Sequence, residues 1–157
     1  MLIEDSFAVT APQREVWEIL QDIPRVSACT PGVEQVEEIG PDRYQGMLKV
    51  KVGPIKAAFS GQVTILERSE PDHLSAQIEG MDRSSASNVK ATFNAHLKTV
   101  GETTQVDYAM DVGLRGRLAQ FGTAVIRGTA KKFVQDFAKC LQGELDGKAG
   151  EAQAEEA

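Results

Sequence analysis

Residues 113–141, GLRGRLAQFGTAVIRGTAKKFVQDFAKCL, form the only long amphipathic helix that the sequence predicts. With one residue placed every ~100°, apolar and small side chains share one side of the helix and basic side chains share the other. A helix of this kind, about 36 Å long at 1.5 Å per residue, needs a large apolar partner. The inner side is predicted to carry Leu118, Gly122, Val125, Ile126, Thr129, Ala130, Phe133, Phe137 and Cys140.

The preceding residues supply that partner as a run of β-strands. Apolar and polar residues alternate there, and short turns separate successive strands, which favours an antiparallel sheet with one face toward water. Two short helices are predicted at residues 12–20 and 23–29. The seven predicted strands cover residues 2–9, 33–39, 44–52, 55–65, 74–78, 89–97 and 106–114. The sequence therefore predicts an α+β, helix-grip fold, in which a seven-stranded curved antiparallel sheet and two short helices enclose a cavity with the long C-terminal helix.

Small residues on the inner face leave the content of that cavity open. Native interiors are densely packed, so small side chains opposite a helix either bring it close or leave an empty space. The strand positions in question are Ala57, Gly61, Ala76, Ala91 and Ala95. The pattern alone does not choose between close packing and a cavity.

Charge and composition divide the chain into one domain and a tail. The net charge is −6 over 157 residues, and the last 15 residues contain five acidic residues and one lysine. We predict a folded domain at residues 1–142 and a disordered acidic tail at residues 143–157. The domain alone is close to neutral, which argues against a nucleic-acid-binding surface.

The sequence shows no pattern typical of export or of a membrane span. It lacks a signal-peptide pattern and an apolar run approaching about 18 residues, so we expect a cytoplasmic protein without a transmembrane segment. Cys29 and Cys140 are too few for a disulfide framework and lack metal-site spacing, so we expect reduced thiols, with Cys140 facing the core.

Reactive groups do not converge in the sequence, so we predict no catalytic residues and no metal site. His73 and His96 lack metal-binding spacing and are interpreted as solvated histidines. Asp5 shares a strand face with Ile3, but exposure at the strand end explains it better than catalysis. Tyr108 has two interpretations: its hydroxyl meets a backbone partner in the core, or it orients a carbonyl-bearing ligand.

Arg115 and Arg117 precede the long helix. Because a helix N-terminus disfavours cations, helix stability does not explain them. They either line the cavity mouth or a partner surface, or are two solvated charges. Phe121 either guards the entrance or contacts the second short helix.

Four stretches resemble the G-subunit family of carbon monoxide dehydrogenase, within the START/polyketide-cyclase-like (SRPBCC) superfamily. They are CTPGVE (residues 29–34), KVKVGPIK (49–56), FSGQV (59–63) and GRLAQFG (116–122). The resemblance covers about residues 2–142. In place of the glycine-rich connection usual between the fifth and sixth strands, this chain has GMDRSSASNV (80–89).

The resemblance implies a non-catalytic accessory protein that binds a hydrophobic ligand, quinone- or lipid-like, and needs no other cofactor. It implies service to a molybdenum hydroxylase of the carbon monoxide dehydrogenase type by recruitment, maturation or electron-acceptor delivery, with peripheral contact to the inner face of the cell membrane. The alternatives are a polyketide cyclase or dehydratase-like enzyme using the same cavity, and an interaction module with a collapsed cavity. The expected ligand-binding residues are Phe59, Ile78, Ala91, Phe93, Tyr108, Met110, Leu118, Phe121, Gly122, Val125, Ile126, Thr129 and Phe133, with Arg115 and Arg117 at the mouth or a partner surface.

Overall fold

The computed structural model describes the backbone of residues 1–156 and the side chains of residues 1–147. The elements in chain order are β1 (Leu2–Val9), α1 (Gln13–Leu20), α2 (Ile23–Ala28), β2 (Val33–Gly40), β3 (Arg43–Val52), β4 (Ile55–Ser69), β5 (His73–Asp82), β6 (Ser87–Val100), β7 (Thr103–Arg115), a 3₁₀ helix (Arg117–Phe121) and α3 (Thr123–Glu156). Within the described part of the chain, no helix combines the length and apolar character needed to cross a membrane.

The strands form one antiparallel sheet in the order β1-β7-β6-β5-β4-β3-β2. Each strand pairs with its neighbour in the chain, except that β1 closes the far edge against β7. The predicted α+β class and seven-stranded curved sheet with its long C-terminal helix are therefore confirmed.

Three glycines lie side by side on the inner face of the sheet. Gly46 pairs with Gly61, and Gly61 pairs with Gly80. A Cβ on Gly61 would lie 2.8 Å from the carbonyl oxygen of Glu79, which is closer than packing allows. Glycine inside a strand marks a bend or a close backbone approach. This row therefore lets the middle strands curve.

Buried apolar residues form two separate clusters on the inner face. The major cluster joins α1 and the C-terminal part of α3 to β4–β7. Its most buried members include Val16, Ile19, Val106 and Leu141. The minor cluster consists of Val52, Ala57, Phe59 and Leu118, where the β3–β4 hairpin meets the 3₁₀ helix. Since neither cluster contains residues of the other, the core has a gap between them.

The long helix begins later than predicted. Strand β7 continues to Arg115, and the α-helix starts only at Thr123. Gly116 and Gly122 flank the 3₁₀ helix with φ of 97° and 86°, values that an α-helix cannot contain. A Cβ on Gly116 would lie 2.0 Å from the carbonyl oxygen of Ala86, so this turn requires glycine.

The predicted boundary between domain and tail at residue 142 is wrong. Helix α3 continues past it, and Leu145 is 3% exposed within the major cluster. Composition hid this because Leu145 is the only large apolar residue in the segment, yet it lies four residues after Leu141 on the same helix face. The predicted disorder of residues 148–157 falls outside the described side chains.

The expectation of two reduced thiols is also wrong, because Cys29 and Cys140 form a disulfide. Their Cα atoms lie 5.4 Å apart across a sequence separation of 111 residues. The bond joins the end of α2 to α3. Restricting a loop of roughly 100 residues in the unfolded chain stabilises a fold by about 4–5 kcal/mol. Disulfides persist mainly in oxidising compartments, so this pair weighs against the expected cytoplasmic location.

We predict that Leu145→Ala lowers the free energy of unfolding by about 2–5 kcal/mol, because it empties a packed site in the core. Leu66→Ala is the matched control, since Leu66 is 55% exposed and should change stability by less than about 0.5 kcal/mol. Denaturant unfolding of both variants measures the difference. Equal stabilities for the two variants would show that residue 145 is not part of the core.

Candidate functional site

The gap between the two clusters is a groove lined by apolar side chains. Ile78, Met110 and Val112 on the sheet, and Ile126 and Phe133 on α3, are half-buried and belong to neither cluster. A closely packed helix would bury side chains on the inner face of a sheet. Their partial exposure therefore indicates an open space under the N-terminal half of α3.

The way α3 is held explains why this space stays open. The helix contacts the sheet mainly at β1 and β3, and so bridges over the strands between them. Its C-terminal half is anchored in the major cluster by Val134, Phe137 and Leu141. The first turn is exposed, and Val125 is 36% exposed. The helix is thus packed at one end and lifted at the other.

The small inner residues do not all behave alike. Ala57 lies in the minor cluster, and Ala76 and Ala95 lie in the major cluster, so these three permit close packing. Ala91 belongs to neither cluster, although it is only 4% exposed. It pairs with Ile78 on one side and Val112 on the other, at the floor of the groove. Close packing and open space therefore both occur, in different parts of the inner face.

The predicted ligand-binding residues separate into three groups. Ile78, Ala91, Phe93, Met110, Ile126 and Phe133 lie in or beside the groove. Phe59 and Leu118 are instead packed in the minor cluster at 6% and 0% exposure. Gly122, Val125, Thr129 and Phe121 lie at the lifted end of α3: Gly122 is exposed, the Thr129 hydroxyl donates to the Val125 carbonyl at 2.9 Å, and Phe121 packs over Gly53.

Tyr108 is the main polar side chain beside the groove. Its side chain is 6% exposed, and its ring lies 6.4 Å from the ring of Phe7 and 6.2 Å from that of Phe93. Burial, and to a lesser degree the charge of Asp5, raise the pKa of Tyr108. Asp5 itself is exposed, as expected for a strand-end acid. No hydrogen-bond partner of the Tyr108 hydroxyl occurs among residues 1–147, so the backbone-partner interpretation fails there.

The histidines lie on the outer face of the sheet and are not simply solvated. His73 pairs with His96, and their rings stack with centroids 4.4 Å apart. The side chain of His73 is 20% exposed, and its Nδ1 lies 3.6 Å from a carboxylate oxygen of Glu67. The Ser69 hydroxyl, followed by the charge of His73, lowers the pKa of Glu67. Only the β5–β6 register reveals this stacking. In the described part of the chain, no group of three or more metal-ligating side chains could hold a metal ion.

Cationic side chains surround the end of the groove near the 3₁₀ helix. We define this cationic patch as Lys51, Lys56, Arg83, Arg115 and Arg117, all of them exposed. Lys51 and Lys56 pair directly across the β3–β4 hairpin, where like charges repel. Among the described residues, none of the five forms an ion pair. An uncompensated positive patch on a chain of net charge −6 is suited to an anionic partner.

A buried carboxylate fixes the position of this end. Asp82 is 3% exposed and accepts hydrogen bonds from the hydroxyls of Ser84 and Ser85, both at 2.8 Å. The Ser87 hydroxyl accepts from the backbone N–H of Leu118 at 3.0 Å and donates to the Ser85 carbonyl at 3.2 Å. The serine-rich β5–β6 connection thereby clamps the 3₁₀ helix. From the sequence, this segment is recognisable only as a departure from the family pattern.

The pKa of Asp82 reflects two opposing influences. Burial alone raises it, but hydrogen bonds from the Ser85 hydroxyl, from Ser84 and from the Ala58 backbone outweigh burial and lower the pKa below its ordinary value of 3.8. A lowered pKa in the folded state stabilises the fold above the ordinary pKa. That stabilisation is lost as the pH falls through the folded-state value.

A second depression, of about 520 Å³, lies elsewhere on the surface. Residues 10–13 at the start of α1 and the turn between β6 and β7 line it. The Gln13 side chain is already hydrogen-bonded to Pro71, Leu97 and Thr99. We therefore assign the candidate site to the groove, where apolar side chains remain uncovered.

Comparisons with known proteins agree with this geometry. A sequence model of the CoxG family, described as the G component of carbon monoxide dehydrogenase, matches residues 6–146. A conserved protein from Geobacillus kaustophilus has a crystal structure with a TM-score of 0.87 and 25% identity, covering 94% of this chain and 96% of that chain. Comparison with functionally curated proteins gives no significant match.

Two more distant crystal structures show the fold alone. A START superfamily protein from Mycobacterium smegmatis has a TM-score of 0.69 and 12% identity, covering 93% of this chain and 97% of that chain. The ZhuI aromatase/cyclase from Streptomyces sp. R1128 has a TM-score of 0.67 and 16% identity, covering 95% of each chain.

We predict that Asp82→Asn lowers the free energy of unfolding by about 1–3 kcal/mol at pH 7, because it removes a charged hydrogen-bond acceptor from a buried site. The difference from the unmodified protein should shrink below about pH 3, where Asp82 becomes protonated. Urea unfolding at several pH values measures it, with the exposed Asp72→Asn as control. A difference that does not change with pH would contradict the role assigned to the carboxylate.

Proposed function

The chain belongs to the G-subunit (CoxG) family of carbon monoxide dehydrogenase, and from that premise we propose that it is a non-catalytic accessory protein that carries a hydrophobic ligand in the groove. The ligand is quinone- or lipid-like. The protein serves a molybdenum hydroxylase of the carbon monoxide dehydrogenase type, by recruitment, maturation or electron-acceptor delivery. Family membership and the START-like fold support a ligand-binding accessory role in general.

One observation carries the ligand part of the proposal: apolar side chains remain half-exposed on the inner face. Ile78, Met110 and Val112 face the lifted half of α3, which presents Ile126 and Phe133. Each Å² of apolar surface removed from water contributes about 25 cal/mol. A flat or elongated apolar molecule in this groove would cover surface that the protein itself leaves uncovered.

The cationic patch supports the partner part of the proposal. It lies where the β3–β4 hairpin, the β5–β6 connection and the end of β7 meet, beside the lifted end of the groove. A partner with an acidic surface would neutralise these charges and face the route by which a ligand leaves. Charge complementarity of this kind raises association rates and depends on salt. Exchange of a quinone- or lipid-like molecule would require only peripheral contact with a membrane.

An enzyme of the aromatase/cyclase type is the second candidate, because the ZhuI aromatase/cyclase shares the fold. General acid–base catalysis needs titratable groups within reach of each other. Within the described groove, Tyr108 is the buried titratable residue, and the nearby Asp5 is exposed. The carrier proposal therefore fits the site better. The half-exposed groove side chains also argue against an interaction module with a collapsed cavity.

Organic extraction of the purified protein, followed by mass spectrometry, tests the ligand directly. We expect a co-purified quinone or lipid, and stabilisation of the emptied protein when a soluble quinone such as menadione is added. Absence of any extracted molecule, together with no thermal shift from added quinones or lipids, would refute the carrier proposal.

We predict that Ile126→Glu weakens binding of menadione at least about tenfold, because a carboxylate in the groove must lose its water when the ligand binds. Gln135→Glu is the matched control: it makes the same charge change, nine residues and about 180° further along α3. Ligand titration and denaturant unfolding of both variants separate binding from stability. If both variants bind like the unmodified protein, the groove is not the ligand site.

We predict that the double change Arg115→Glu and Arg117→Glu weakens association with the partner dehydrogenase about 10–100-fold and reduces its salt dependence. Both side chains belong to the cationic patch, so binding of menadione should stay unchanged. The control reverses Arg14 and Arg25, which are exposed on α1 and α2. Affinities measured at two ionic strengths give the comparison. Equal losses for the two pairs would indicate a general effect of net charge.

A further inference from the structure

Tyr108 is a hydrogen-bond donor without a partner inside an otherwise apolar region. Its side chain is 6% exposed, and its ring is held by Phe7 and Phe93. Every fully covered side-chain nitrogen or oxygen in the described part of the chain has a hydrogen-bond partner. The unpartnered Tyr108 oxygen must therefore be open to a molecule at least as small as water.

The opening for that oxygen lies on the groove side of the sheet. Tyr108 points to the inner face with Met110 and Val112, its neighbours along β7. The half-buried Phe93 pairs with Met110, and its ring lies nearly parallel to that of Tyr108, at an interplanar angle of 25°. A ligand covering Met110 and Phe93 would therefore bring one of its ends close to the Tyr108 hydroxyl.

Other hydroxyls on the inner side are already in use. The Thr129 hydroxyl donates to the Val125 carbonyl on α3, and the Thr104 hydroxyl donates to the Ala11 carbonyl at 2.8 Å. Ser87 is held in the clamp on the 3₁₀ helix. Tyr44, on β3, is more exposed than Tyr108. Tyr108 is thus the buried hydroxyl that remains available to a ligand.

We propose that Tyr108 donates a hydrogen bond to a carbonyl oxygen of the bound ligand, so that the groove selects flat apolar molecules with a ring carbonyl over hydrocarbons of the same shape. This inference rests on the proposed carrier function and names the ligand chemistry at the same site. Leaving a buried donor unpaired is unfavourable, so a ligand without an acceptor forgoes the compensation that a carbonyl provides. Burial raises the pKa of the phenol, which therefore keeps its proton at neutral pH.

The test compares two probes of nearly the same shape. Menadione carries two ring carbonyls, and 2-methylnaphthalene carries none. Affinities are measured by displacement of a fluorescent apolar dye from the unmodified protein, from Tyr108→Phe and from the control Tyr44→Phe. We expect Tyr108→Phe to weaken menadione binding about threefold to tenfold and to change 2-methylnaphthalene binding by less than about twofold, as for the loss of one net hydrogen bond. Tyr44→Phe should change neither affinity.

The outcomes separate this inference from the proposed function. If both probes bind and Tyr108→Phe leaves the preference for menadione unchanged, Tyr108 is not the selecting donor, although the groove remains a ligand site. If Tyr44→Phe removes the preference instead, the donor has been misassigned. If neither probe displaces the dye, and extraction yields no ligand, the carrier function itself is refuted. Unfolding midpoints of the two variants check that each is folded.

Discussion

The packing of the C-terminal half of α3 into the major cluster is the interaction on which the rest of the structure depends. Leu141 and Leu145 are 0% and 3% exposed there, next to α1 and the ends of the central strands. The disulfide between Cys29 and Cys140 joins α2 to the same part of the helix. Because the helix is fixed at this end, its other half extends over the sheet without having to pack on it.

The opposite end is held by a different kind of contact. Leu118 of the 3₁₀ helix completes the minor cluster, and its backbone N–H donates to the Ser87 hydroxyl. Ser85 connects this contact to the buried Asp82. Apolar burial anchors one end of the groove, whereas apolar burial and a charged hydrogen-bond network together anchor the other. The groove is the space that remains between two rigid ends, which explains how apolar side chains stay accessible in a stable fold.

This arrangement places three properties useful to a carrier along one line. The floor is apolar, Tyr108 supplies a donor at the side of β1, and the cationic patch lies at the lifted end of the helix. A ligand can be held by apolar contact and oriented by one hydrogen bond, while the charged end meets another molecule. The outer face, with its stacked His73 and His96, takes no part in this arrangement.

The sequence by itself determined the elements, because their signals are local. Alternation placed the strands, and the helical spacing of Ile126, Phe133 and Phe137 placed the inner side of α3. The same spacing identified Ile78, Met110 and Ile126 as inward residues, and they do line the groove. Family resemblance added the expected ligand site, which the residue pattern alone left open.

Only the tertiary structure decided which inward residues are packed and which stay uncovered. Leu118 and Ile126 look alike in the pattern, yet one is fully buried and the other lines the groove. The pairing of Cys29 with Cys140, the burial of Leu145 and the clamp around Asp82 also escaped prediction. Each of these depends on contacts between residues that are distant in sequence or on the exact position of a turn. Periodicity shows which way a side chain points, but the distance to its neighbour is set by how the whole chain folds.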